Sequence, residues 1–223
     1  MQIAELLYRN GMAAGNSFTQ ALTELVVYYN ITRVVETGTF LGMGTTAAVL
    51  EGFKQHGTTP VYFASIEKDD LNYSVAQANN VGKPVKIMKG LSIPKRLLPN
   101  IEDIQFRDYP NTAIVDHMDA DRAEKYYAET NGAKSDDLLT TAIAFCGGNP
   151  ELFILDSAGH IGTVEFDYLL PKIKHDCYIA LDDTNHVKHI KTVEKILGDP
   201  RFKETFATNE KFGSRIFKYT LIV

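Results

Sequence analysis

Short apolar runs that end in acids punctuate this chain. Val34-Val35 runs into Glu36, Val61–Ile66 into Glu67, Leu152–Leu155 into Asp156, and Cys177–Leu181 into Asp182-Asp183. Val85–Met88 is a further run, closed by Lys89-Gly90. Continuous apolar runs of this length read as strands buried on both faces, as in parallel sheets. Segments with helical spacing lie between them. Met1–Asn30 carries two stripes, Ile3, Leu6 and Leu7, then Phe18, Leu22, Leu25, Val26 and Tyr29, separated by Gly11 and Gly15. Thr45 opens a helix that the stretch from Gly52 to Pro60 ends, and Asp69 and Asp70 cap another over Leu71–Val81. Pro94 and Pro99 allow only a short, interrupted helix over 93–104. Gly162–Ile173 is helical, and Thr184–His189 starts the next helix. The tail, Phe202–Ala207 and Ser214–Ile222, alternates as β-structure does. Strands alternating with helices predict an α/β fold.

The middle of the chain breaks this rhythm. Ala113–His117 reads as a short strand, Asp121–Thr130 as a helix, and Ser135–Asp137 as a cap before the apolar segment Leu138–Phe145. Residues 105–148 are therefore expected to form an insertion that caps the active site within one domain spanning 1–223, after a helical lead-in over 1–30. Asp116, His117, Asp119 and Asp121 read as solvated loop rather than a metal site.

Bulk properties narrow the picture only modestly. The 223 residues are 44% hydrophobic and 23% charged, with net charge −5 and pI about 5.7. This balance suits a globular domain with a substantial core and argues against a nucleic-acid partner. Cys146 and Cys177 sit among apolar or small residues and read as buried thiols. The sequence lacks the layout of a signal peptide and a run long enough to span a membrane, so a soluble, cytoplasmic protein is expected. Formation of a homodimer stays open.

The stretch Arg33–Leu50 carries the clearest chemistry. A strand ends in Glu36, a glycine-punctuated turn follows, and Thr45 starts a small-residue helix. Glycines let a backbone turn sharply and approach a ligand, and a helix's first turn offers unpaired N–H groups. The order acid-x-Gly-x-x-x-Gly over Glu36–Gly42 resembles motif I of the class I S-adenosylmethionine (SAM)-dependent methyltransferases. The resemblance implies a Rossmann-like, doubly wound, seven-stranded and mostly parallel sheet with an antiparallel C-terminal hairpin. It also implies that Glu36, Thr37, Gly38, Thr39, Phe40, Gly42 and Thr45 wrap the cofactor's methionine part. By the same likeness Glu67 takes both ribose hydroxyls, Ser92 of Gly90-Leu91-Ser92 meets the adenine, and Asp156 borders the cofactor.

Asp156, Asp182 and Asp183 end two late strands on one sheet edge. Carboxylates that close repel one another, and a divalent cation relieves the conflict. Hard oxygen donors favour Mg2+, or Mn2+, over zinc. Phe153-Ile154-Leu155-Asp156-x-x-x-His160 followed by Ile179-Ala180-Leu181-Asp182-Asp183 resembles the metal-dependent O-methyltransferases of the catechol and sugar (macrocin) groups. That likeness implies Mg2+ held by Asp156, Asp182 and Asp183, and transfer of a methyl group to a small hydroxylated acceptor such as a sugar, polyol or phenol. Some sugar enzymes carry an acid where this chain has Ala158, so His160 is the expected base, with His186 second and Lys188 remote. Two other readings compete. One is an NAD(P)-dependent oxidoreductase, disfavoured because Glu67 lies 29 residues beyond Gly38 against roughly 20 in dinucleotide sites. The other is a non-catalytic cofactor-binding domain.

Overall fold

A computed structural model describes residues 15–98, 132–157 and 161–222. The stripe at Ile3–Leu7, the strand and helix expected over 113–130, the acids from Asp116 to Asp121, and both Ala158 and His160 lie outside the described residues.

The described chain alternates as expected. Its helices and strands are α1 (Ser17–Tyr28), β1 (Arg33–Thr37), α2 (Thr45–His56), β2 (Tyr62–Glu67), α3 (Asp70–Asn79) and β3 (Lys86–Lys89). After a 3-10 turn at Lys95–Leu97 come α4 (Leu138–Phe145), β4 (Leu152–Leu155), α5 (Gly162–Leu169), β5 (Cys177–Asp182), α6 (Ile190–Leu197), β6 (Phe202–Thr208) and β7 (Ser214–Tyr219). The seven strands form one sheet in the order β3-β2-β1-β4-β5-β7-β6. β3 to β5 are parallel, and β7 runs antiparallel to both β5 and β6. This is the doubly wound, Rossmann-like arrangement expected from the sequence.

Strand alternation divides the core into two layers. Val34, Leu152, Ile154, Tyr178 and Ala180 pack with Phe18, Leu22 and Val26 of α1 and Ala48, Val49 and Phe53 of α2. Val35, Phe153, Leu155, Ile179 and Leu181 point the other way, onto Leu139 and Ala142 of α4, Phe166 and Leu169 of α5, and Val193 and Ile196 of α6. Cys146 and Cys177 are free and buried in this second layer.

α2 runs past Gly52 to His56 and stops at Gly57, inside the stretch from Gly52 to Pro60 expected to end it. Gly52 is a packing residue, since a Cβ there would meet the Val26 side chain at 2.6 Å. Residues 184–189 form a turn rather than a helix start, and α6 begins at Ile190. The segment 138–145, expected to belong to a cap, is instead α4, the crossover helix that covers β1 and β2. Its apolar positions Leu139 and Ala142 are fully buried in the sheet core, which an insertion over a site would not require.

Candidate functional site

The strand order reverses between β1 and β4. From β1 the chain moves outward to β2 and β3, then returns to β4 and continues to β5. In open α/β sheets ligands bind at this switch point, outside the carboxyl ends of the strands. The acids at the ends of these strands all lie on that edge.

The loop after β1 is pinned from three sides. Gly38 N–H donates to the Ile66 carbonyl at 2.9 Å, and Phe40 N–H donates to Glu67 Oε2 at 2.7 Å. The side chains of Asn79 and Asn80, at the end of α3, donate to the carbonyls of Leu41 and Gly42. Gly38 has φ +78°, and a Cβ there would lie 2.1 Å from the Asp156 carbonyl oxygen. Gly42 has φ +66°, and its Cβ would meet Asn80 Nδ2 at 2.4 Å. These two glycines therefore let protein approach protein; the close approach to a ligand inferred from the sequence is not what fills their missing side chains.

Alternation along β1 sends its last two side chains to opposite layers. Glu36 turns toward α2 and is fully buried. Its carboxylate accepts hydrogen bonds from Thr45 (2.5 Å), Thr46 (2.6 Å) and Ser65 (2.5 Å). Burial raises its pKa, and the three hydroxyls pull the other way. Thr39 joins this group through Ser65. Glu36 and Thr45 thus fix the start of α2 from inside. The helix itself has no side-chain cap at Gly44, which leaves its first turn to the loop and to whatever binds there.

Thr37 turns to the other layer and donates to Glu165 Oε2 at 3.0 Å. Ser157, just beyond β4, donates to Glu165 Oε1 at 2.6 Å. The buried hydroxyl of Ser92 faces the same carboxylate. Glu165 is fully buried, and that burial raises its pKa against the hydroxyls that hydrogen-bond to it. Sequence reading missed Glu165, yet it ties together the ends of β1 and β4. A signal existed: Gly162, Glu165, Phe166 and Leu169 share the helical spacing of a buried face. Ser92, expected against adenine, lies inside, 3% exposed.

Glu67 ends β2 beside the loop. Only 6% of it is exposed, and burial raises its pKa. Its two oxygens each accept one backbone N–H, from Phe40 at 2.7 Å and Asp69 at 2.8 Å. A carboxylate oxygen has two lone pairs, so each can accept one more donor. Two adjacent hydroxyls suit that capacity.

The three late acids do converge. Ligand oxygens of Asp156, Asp182 and Asp183 lie within 4.8 Å of one another. Lys188 sits among them. Its Nζ donates to Asp156 Oδ1 and to Asp183 Oδ2, each at 2.7 Å, and only 3% of the side chain is exposed. Asp182 accepts from Ser214 Oγ at 2.7 Å. Burial opposes the Lys188 ammonium, but Asp156, Asp183 and Asp182 outweigh it and raise its pKa. Burial and the neighbouring acids raise Asp156, with Lys188 pulling it back. The donors are the hard oxygens that Mg2+ takes. With the ammonium bridging two of them, the residues present do not fit a divalent ion.

His186 does not stand open as a base. Its Nδ1 accepts the Lys188 backbone N–H at 3.1 Å, and the buried ring packs against Phe212. His189 was not singled out from the sequence. It is fully buried, with Nε2 3.1 Å from the Leu155 carbonyl, so Nε2 carries the proton of a neutral ring. Burial, helped by the Lys188 charge, pushes its pKa down to about 3. The unfolded chain takes that proton near pH 6.5 and the folded chain does not, so this residue's contribution to stability falls as pH drops below that value. His189→Gln removes the titration. Urea unfolding at pH 7.5 and pH 5 should show the advantage of wild type over His189→Gln shrinking by about 2 kcal/mol at the lower pH. An unchanged gap would refute the buried neutral imidazole.

No protein-family model matches the chain, and no curated protein matches it in sequence. Solved structures do match its fold. A cofactor-bound structure of Rv0187 from MTB is 15% identical, with 97% of this chain and 88% of that one covered and a TM-score of 0.60. The O-methyltransferase from Bacillus cereus in complex with SAH is 15% identical, covering 98% and 86%, with a TM-score of 0.59. The O-methyltransferase TomG from Streptomyces achromogenes, in complex with SAM, is 14% identical, covering 94% and 82%, with a TM-score of 0.55. The chain shares their seven-stranded fold over nearly its whole length.

Proposed function

We propose that this protein is a SAM-dependent O-methyltransferase acting on a small hydroxylated acceptor such as a sugar, a polyol or a phenol. One observation carries the reading: a half-satisfied, buried carboxylate, Glu67, holds the loop that follows β1 at the switch point of the sheet. The fold that the chain shares with structures described as O-methyltransferases, two of them with SAM or SAH, supports it.

The residues fit the cofactor at the places where it would be held. Glu67 would accept the two ribose hydroxyls on its remaining lone pairs. The loop Gly38–Gly44 and the uncapped start of α2 would take the methionine part. When bound, SAM supplies an electrophilic methyl group on a sulfonium. The protein's share is to orient the two partners and exclude water. Glu36 holds the start of α2 and Glu165 the ends of β1 and β4, so the edge that receives both partners is rigid before they arrive. Asp156, beside the close contact with Gly38, sets the ion cluster next to that edge. His160 remains the proposed base, since an unperturbed imidazole suits proton removal near neutrality; His186 is set aside because its Nδ1 is engaged. A Mg2+-assisted form of the reaction would use Asp156, Asp182 and Asp183. Convergence of the three carboxylates supports it and the ammonium between them opposes it.

Calorimetry with SAM, SAH and NAD tests the proposal. SAM and SAH should bind, and Glu67→Ala should weaken both at least about tenfold, close to 1.4 kcal/mol, without unfolding the protein. Binding of NAD with neither sulfur compound would overturn the reading in favour of an oxidoreductase.

A further inference from the structure

We propose that Lys188 is the resident cation of this site: its ammonium takes the place between Asp156 and Asp183 that a divalent ion would occupy, and the carboxylate cluster binds no Mg2+ or Mn2+ while that lysine is present. The inference concerns the site itself and is independent of the methyl-transfer reading.

Geometry carries it. The ammonium reaches one oxygen of each of two carboxylates at 2.7 Å, and the lysine is 3% exposed while Asp156 and Asp183 retain 18% and 26%. A divalent ion coordinating the same oxygens would lie within a few ångströms of a buried positive charge and be repelled by it. Lysine offers no lone pair when charged, so it cannot join the metal's ligands.

The lysine is also built into position rather than reaching in from the surface. Asp183 takes φ +57°, and the following turn doubles back on itself. His186 N–H donates to the Asp183 carbonyl at 3.0 Å, and Lys188 N–H donates to His186 Nδ1 at 3.1 Å. Thr184 and Asn185 N–H groups fasten the turn to the carbonyls of Gly213 and Phe212. On the far side α5 begins at Gly162, where a Cβ would come within 2.5 Å of the Lys188 carbonyl oxygen and 2.8 Å of its Cγ. The backbone and the base of the side chain are thus held on both sides, which aims the ammonium at the acids. The Asp156–Lys188–Asp183 bridge therefore performs the structural part of a metal's work: it relieves carboxylate repulsion and locks the ends of β4 and β5 together.

Removing the lysine's charge should create the metal site that it displaces. Wild type and Lys188→Met, each as the full chain, would be titrated with Mn2+ by calorimetry and by loss of the free-ion electron paramagnetic resonance signal, and melted with and without Mn2+. Wild type should bind no ion at these acids, and its Tm should not move. Lys188→Met should melt on the order of 10 °C lower, bind one Mn2+ at least about tenfold more tightly than wild type, and recover Tm when Mn2+ is added. A purely structural lysine would give the loss without recovery, and that result overturns the proposal. So does one Mn2+ bound by wild type and lost in Asp156→Asn. If Lys188→Met does not fold, the wild-type titration with the Asp156→Asn control still decides, and Lys188→Arg, which keeps the cation, should exclude Mn2+ as wild type does.

Discussion

Gly38→Ala is expected to cost about 3–5 kcal/mol of folding stability and to remove measurable SAM binding. Two separate penalties combine. The residue has φ +78°, a conformation that costs an L side chain roughly 1–2 kcal/mol. Its Cβ would also lie 2.1 Å from the Asp156 carbonyl oxygen, 2.5 Å from that carbonyl carbon and 2.9 Å from Ser157 N. All three are backbone atoms at the end of β4, which is bonded to β1 and β5 on either side and cannot yield as a side-chain tip would. The loops after β1 and β4 must then move apart, and they are the two walls of the switch point. Gly57→Ala separates the two penalties, because Gly57 has φ +69° and nothing within 4 Å of its ideal Cβ. Denaturant unfolding should show a loss near 1 kcal/mol for Gly57→Ala and several times that for Gly38→Ala. Equal losses would mean that the β1–β4 contact is softer than its geometry implies.

The same glycine shows where sequence reading succeeded and where it stopped. The strand-loop-helix unit at Arg33–Leu50 was legible because a short apolar run, glycine and a helix start each leave a local mark. So were the strands that end in Glu67, Asp156 and Asp182, since buried parallel strands read as continuous apolar runs. What the local pattern could not tell was what each glycine touches. Gly38 and Gly42 signal a close approach in either case, and only the three-dimensional arrangement reveals that Asp156 and Asn80 are the neighbours.

Lys188 marks the other limit. Read along the chain, it is one basic residue in a mixed-charge segment, six positions beyond Asp182 and in a stretch expected to be helical. A helix from Thr184 would have carried it away from the acids. The turn through Asp183 and His186 brings it back, and the bonds that hold the turn come from Phe212 and Gly213, far along the sequence. Convergent acids were visible in the sequence; the cation that answers them depended on a non-local turn. The place of the segment 138–145 was hidden for a similar reason. Leu138–Phe145 is almost wholly apolar and shows no sharp amphipathic stripe, so nothing in its own sequence distinguishes a crossover helix from part of an insertion.

Glu165 separates the need for a hydrogen-bond acceptor from the need for a charge. Glu165→Ala should cost about 3–4 kcal/mol, because it leaves the buried hydroxyls of Thr37 and Ser157 without their acceptor and opens a void beneath the ends of β1 and β4. Glu165→Gln should stay within about 1 kcal/mol of wild type, since the amide oxygen keeps one bond and the other hydroxyl can rotate to accept from the amide nitrogen. Burial, opposed by the hydroxyls, raises this carboxyl's pKa in the folded state. The unfolded carboxyl ionises first as pH rises, so wild type gives up stability to the titration that Glu165→Gln cannot undergo, and the glutamine variant should gain on wild type between pH 4 and pH 7. Function should follow the same order. Thr37 and Ser157 flank the switch point, so Glu165→Ala should weaken SAM binding at least about tenfold at a temperature where the variant is still folded, while Glu165→Gln leaves it near wild type. Equal damage from both variants would show that the site needs the full negative charge, and that the hydroxyls are held by a carboxylate which stays ionised in spite of its burial.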